Sequence, residues 1–177
     1  MSEWVMRIVS LVLLSALAAG CSRDHARADV PFDAKHFVLA TNQSTIADVD
    51  LGLMAARRGR RPETRQLGSI MHRQEGELRT ALLALAQQKQ IPLNAVPEPR
   101  KIALRENLEM LPGEVFDRGY ALAMVQDLDA MTASFQQASR SNDRELAAFA
   151  TQNLPHIREQ RVLAAQLLKR LGGSPFS

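Results

Sequence analysis

The chain has 177 residues, of which 46% are hydrophobic and 23% charged, with a formal net charge of +3. That length and apolar content suit one globular domain with a substantial core. The charge is only mildly basic and no long single-sign tract occurs, which argues against a nucleic-acid partner, while few aromatics and abundant Ala, Leu, Gln and Arg favour helix.

The first element is an apolar run, Ile8 to Leu17 (IVSLVLLSAL), preceded by Arg7 and followed by small residues. It has signal-peptide length and is too short to span a bilayer comfortably. The run ends in LAAGC, which resembles the lipobox of bacterial lipoproteins, with Leu17 one position further out than usual and Ala18 in its place. In that motif the cysteine is lipidated and becomes the new N-terminus. Cys21 is the only cysteine, so an intrachain disulfide is impossible, and lipidation would remove a lone thiol from an oxidising envelope. The resemblance implies a signal peptide over residues 1–20, lipid attachment at Cys21 and stable anchoring by several acyl chains. Ser22 after the cysteine resembles the enterobacterial sorting signal for the outer membrane. Cleavage near Ala18 or Ala28 without lipidation would instead leave the protein periplasmic. Residues 21–32 are polar, contain a proline and read as a tether.

Four long helices are expected over residues 33–172. The first starts at Asp33 as N-cap and runs through Phe37, Ala40, Ser44, Ala47 or Asp48, Leu51 and Ala55, with Gly59 as C-cap. The second begins at Pro62, with Glu63 near the positive dipole end, and turns Leu67, Met71, Glu75 or Gln74, Leu78, Leu82 and Leu85 inward. The third follows Pro112 and Gly113, with Phe116, Tyr120, Met124, Leu128, Met131 and Phe135 on one side. The fourth opens at Asn142, with Glu145 in capping-box position, and carries a three-four repeat from Leu146 to Leu171 that Pro155 should bend.

Short first-to-second and third-to-fourth connections predict two antiparallel hairpins. The link over residues 91–113 is long enough to cross a bundle of ~40 Å, with a short helix around Lys101 to Met110. The expected fold class is therefore all-α, a ferritin-like four-helix bundle with a long crossover between its second and third helices. A weak internal echo pairs Met71 with Met124, Glu75 with Leu128, and Leu78 with Met131.

The stretches ADVDLG (47–52), FDRGYALAMVQD (116–127) and FATQNLP (149–155), together with Met71, resemble a family of bacterial envelope proteins with a ferritin-like domain of unknown function, domain of unknown function 4142. The likeness covers about Phe37 to Leu168, and its FD-x-x-Y and LP elements are the more specific. Members carry Met-x-x-Asp-His on the second helix, Met-Val-x-Asp-His on the third, and a histidine five positions after the LP proline. Those three histidine positions here hold Glu75, Leu128 and Gln160, so the chain resembles a degenerate member. The family carries no established activity, and even an intact histidine cluster would imply metal binding alone.

MHRQE (71–75) and PHIRE (155–159) each place a histidine and a carboxylate three apart on one helix face. His72 falls about 60° from the inward Glu75, at the boundary of the core. A carboxylate-rich replacement site could combine Asp48, Glu75, Asp127 and His156 around a hard or borderline ion. Against it stand solvated or hydrogen-bonding roles for the same side chains. Met54, Met71, Met124 and Met131 could suggest Cu(I), but Met at helical spacing is ordinarily core filler. Arg57, Arg58, Arg60 and Arg61 (RRGRR) could touch an anionic surface, or form a solvated corner at the negative end of the first helix. Asp117 and Tyr120, sharing a face, are expected to form a structural hydrogen bond. No nucleophile elbow, phosphate loop or Cys-x-x-Cys occurs. The reading is a lipid-anchored envelope protein with a non-catalytic bundle that meets an envelope protein or ligand of unknown identity. No cofactor is expected. The alternative is a periplasmic metal-binding protein, redox or storage, using the carboxylate-rich site.

Overall fold

A computed structural model describes residues 32–173. The signal peptide expected over residues 1–20, the lipid attachment expected at Cys21 and the expected tether up to residue 31 lie outside them. Within the described residues the chain is all helix: α1 (Ala34–Arg58), α2 (Pro62–Gln88), α3 (Pro99–Glu109), α4 (Gly113–Ala138) and α5 (Arg144–Arg170). The four long helices form a bundle in which α1 packs on α2 and α4, and α5 packs on α2 and α4. The crossover helix α3 lies against α1 and α4.

The helix ends follow local chemistry. Asp33 accepts from His36 N at 2.9 Å, and Pro62 opens α2 where a missing N–H costs nothing. α2 ends on Gln90 at φ 55°, with Gln90 N donating to Gln87 O and Ile91 N to Ala86 O. Gly172 at φ 70° ends α5 in the same way, its N–H donating to Lys169 O and that of Gly173 to Leu168 O. Both are left-handed stops in which the two residues after the cap bond back to the last turn.

Two details differ from the sequence reading. The α5 N-cap is Asp143, which accepts from Leu146 N at 3.1 Å, so Asn142 is not the cap and Glu145 makes no capping box. Glu145 instead meets Lys89 at 3.1 Å, and Lys89 also binds Asp143, tying the two hairpin ends together. Ala40 is exposed, because the inward face of α1 passes through Val38, Thr41 and Thr45. Pro155 lies inside the continuous α5, and its missing N–H leaves a gap opposite the exposed Thr151.

The two hairpins close differently. Gly52 and Gly68 let α1 and α2 cross almost backbone to backbone: a Cβ at Gly52 would stand 2.5 Å from His72 N, and one at Gly68 would strike the backbone of Ala56 and Ala55. At the α1–α2 corner the buried Asp117 carboxylate accepts from Arg60 N at 3.0 Å and Arg61 N at 2.9 Å. This replaces the expected Asp117–Tyr120 hydrogen bond, since the Tyr120 hydroxyl has no hydrogen-bond partner among the described residues. The core is one continuous apolar cluster containing Met54, Met71, Met124 and Met131. All six residues of the internal echo are buried, so the aligned positions do share inward faces.

Candidate functional site

The polar centre of the bundle follows from helix geometry. Asp48, Glu75, Asp127 and Gln160 each lie near the middle of a long helix, and antiparallel packing brings those middles to one level. Asp48, Glu75 and Gln160 are fully buried, while Asp127 is half-buried. Three of the four candidate ligands predicted from sequence are thus gathered in one electrostatic cluster. The fourth, His156, is exposed on α5 and stands at the rim of an adjoining cleft.

The group that organises the cluster comes from the crossover. Lys101 on α3 is 5% exposed, and its ammonium donates to both oxygens of Asp48 at 2.7 Å and to Ser44 Oγ at 2.5 Å. It pairs with Asp127 Oδ1, also at 2.7 Å. Ser44 Oγ in turn donates to Asp48 Oδ2 at 3.1 Å. Sequence reasoning missed Lys101, although Lys101, Leu104 and Leu108 show the three-four spacing of an inward face. Lys101 and Leu108 are the buried residues of that helix.

The electrostatics show how unevenly one ammonium serves three carboxyls. Burial works to lower Lys101, but Asp48 and Asp127 outweigh it and the ammonium is held above its ordinary range. Asp48 is pushed upward by burial first and by Asp127 second, with Lys101 pulling it back. Glu75 is pushed up to about 8 by burial, then by Asp48. Its Oε2 has no hydrogen-bond partner among the described residues, and neither does Gln160 Oε1. Gln160 Nε2 donates to Gln74 Oε1 at 3.0 Å. Tyr120, buried among these groups, is raised by burial, by Asp48 and by Glu75, and stays a neutral phenol.

This donor set does not fit a metal ion. A cation already sits between Asp48 and Asp127, and a second at bonding distance from the same oxygens would face it at close range. Leu128, wholly buried, has no donor atom, and among the described residues no group of three or more His, Cys, Asp or Glu is arranged to hold a metal. His72 is a boundary residue, its Nδ1 donating to Val49 O at 3.0 Å.

The arginine corner is partly committed to the fold. Arg58 donates to Glu109 O at 2.8 Å and lies 5.3 Å over the Phe116 ring, so it caps the end of α3. Arg61 pairs with Glu114 at 2.9 Å. Arg57 and Arg60 are exposed.

Helix order, the crossover and the polar layer at the bundle's middle define an all-α bundle protein with a buried ionic centre. More particularly, the chain belongs to the family described as Domain of unknown function (DUF4142), whose sequence pattern matches residues 19–167. Comparison with curated proteins and with solved structures gave no match.

Proposed function

We propose that the chain is a lipid-anchored protein of the cell envelope, held through Cys21 at the outer membrane and facing the periplasm, with a bundle that is a non-catalytic binding or structural module. One observation carries the reading of the bundle: the Lys101 ammonium stands 2.7 Å from both Asp48 and Asp127, the place where a bundle of this kind would seat a metal cation. An internal cation neighbours Asp48 and Asp127 at all times and needs no supply of ion. It also offers no open coordination position, which metal catalysis requires. The anchor is supported by the LAAGC sequence and by the solitary cysteine.

The test is elemental analysis of the full chain purified from cells supplemented with iron, zinc and copper. Well under one metal per chain is expected; stoichiometric metal that disappears in Asp48→Ala would establish the metal-binding alternative instead. For the anchor, Cys21→Ala should shift the protein out of the membrane fraction and abolish labelling by a fatty-acid analogue. Unchanged membrane association would remove lipidation from the reading.

A further inference from the structure

Beside the ionic centre, α2 and α5 diverge around a cleft of ≈ 220 Å³. Its floor is formed by Glu75 and Gln160, its walls by Leu78, Ala81 and Ile157, and His156 stands at the rim. At about 30 Å³ per water, the space exceeds what a bare ion needs and suits a small organic molecule.

The floor has a definite chemical character. Glu75 is 1% exposed and Gln160 is 2% exposed, and each presents a buried oxygen, Oε2 and Oε1, with no hydrogen-bond partner among the described residues. Orphaned acceptors at such depth are uncommon, because each forfeits its bonds to water without replacement. Lys101 bonds Asp48, Asp127 and Ser44, so its ammonium provides no hydrogen bond to Glu75 Oε2. The centre therefore has three carboxyl groups and one lysine, and the carboxyl left over is the one at the cleft. In the free chain a proton on Glu75 serves these oxygens; once Glu75 is ionised both are acceptors, and a single group that meets the two needs more than one N–H. The apolar walls favour a ligand with a hydrocarbon part.

We infer that the α2–α5 cleft is a binding site for a short alkylammonium, its –NH₃⁺ meeting Glu75 Oε2 and Gln160 Oε1 and its carbon chain lying along Leu78, Ala81 and Ile157. An ammonium is a donor-only group with three N–H bonds; it matches the Gln160 oxygen as it stands, and Glu75, held protonated by burial at neutral pH in the free chain, releases its proton to solvent as the cation arrives. The floor is closed to solvent in the free chain. Entry accordingly turns the half-buried Gln74, whose side chain bonds only Gln160 among the described residues. This inference rests on the bundle being a binding module and adds the class of its ligand.

The experiment titrates n-butylammonium chloride into the full chain, kept in non-ionic detergent, and follows binding by calorimetry and by amide shifts. Saturable binding is expected, with shifts concentrated on α2 and α5, and n-butanol should not bind. Glu75→Gln and Gln160→Leu should each weaken binding about tenfold or more. Thermal melts of both variants check that they fold. No saturation by n-butylammonium, equal binding of n-butanol, or undiminished binding in the folded Glu75→Gln chain overturns the inference. A parallel titration with Mn²⁺ separates the two readings: tight Mn²⁺ binding that n-butylammonium cannot displace overturns both this inference and the proposed function. Failure of n-butylammonium without any metal binding removes this inference alone.

Discussion

Glu75 shows how one side chain's burial becomes a property of the whole chain. Its carboxyl is pushed up to about 8 in the fold, above all by burial, against 4.5 for an ordinary glutamate. Between those values the folded chain keeps a proton that the unfolded chain has lost. The folded state then binds more protons, so its stability is whole below about 4.5, falls as pH rises, and levels off above about 8. Asp48, also raised, acts in the same direction. Glu75→Gln keeps the shape and removes this titration, so urea unfolding across that pH range should give a shallower slope and a variant more stable than wild type at the alkaline end by ~2 kcal/mol. An unaltered slope would mean that Glu75 is not buried as described. At this scale the sequence was informative where periodicity applied: three-four stripes offered Asp48 and Glu75 on inward faces, as alternatives to Ala47 and Gln74, while Asp127 was singled out by the family resemblance. His156 is exposed although it lies near Gln160 on its helix, because a rotation of about 40° is enough to carry a side chain from the core to solvent. Lys101 stayed hidden because the stripe it shares with Leu104 and Leu108 is only two turns long and a lysine on it reads as surface, while its partner Asp48 lies 53 residues away along the chain.

At the scale of elements, the starts and stops were legible because caps are local. Asp33, Pro62 and Gly59 need only their near neighbours to act. The α5 start was displaced by one residue, since Asn142 and Asp143 are both competent caps and only Asp143 also reaches Lys89 across the bundle. What no periodic pattern reveals is how close two helices come. The α1–α2 crossing depends on Gly52 and Gly68 together, and the atoms that an added methyl would strike are backbone, which cannot rotate away. Gly68→Ala should therefore destabilise the chain by ~1–3 kcal/mol through overpacking, despite alanine's better helix propensity. Gly76, on the same helix with open space around its Cα, is the internal control: Gly76→Ala should stabilise by up to ~1 kcal/mol. Equal thermal shifts in the two variants would show that the crossing is looser than described.

At the scale of the molecule, the bundle is held by two kinds of attachment. The four long helices share a continuous apolar core, whereas α3 buries only Lys101 and Leu108. The crossover is instead stitched to α1 by polar contacts: Asn42 Nδ2 to Asn94 O at 2.7 Å, Glu98 N to Gln43 O at 3.1 Å, and Arg58 to Glu109 O at 2.8 Å. Lys101 reaches deepest and bonds both α1 and α4. A segment with little apolar burial and many polar contacts near the surface belongs to the low-stability end of a protein's opening hierarchy. Native-state hydrogen exchange should accordingly find the α3 amides opening at lower free energy than those of α2, α4 and α5. Lys101→Met should cost up to ~3–5 kcal/mol, because Asp48 and Asp127 lose their buried counter-ion. That loss should be greater in α3 exchange than in α2, since α2 contributes neither of the carboxylates that bind Lys101. A loss of protection spread evenly over all five helices would show that α3 unfolds only with the whole bundle, and that Lys101 is part of the global core rather than the pin that holds the crossover down.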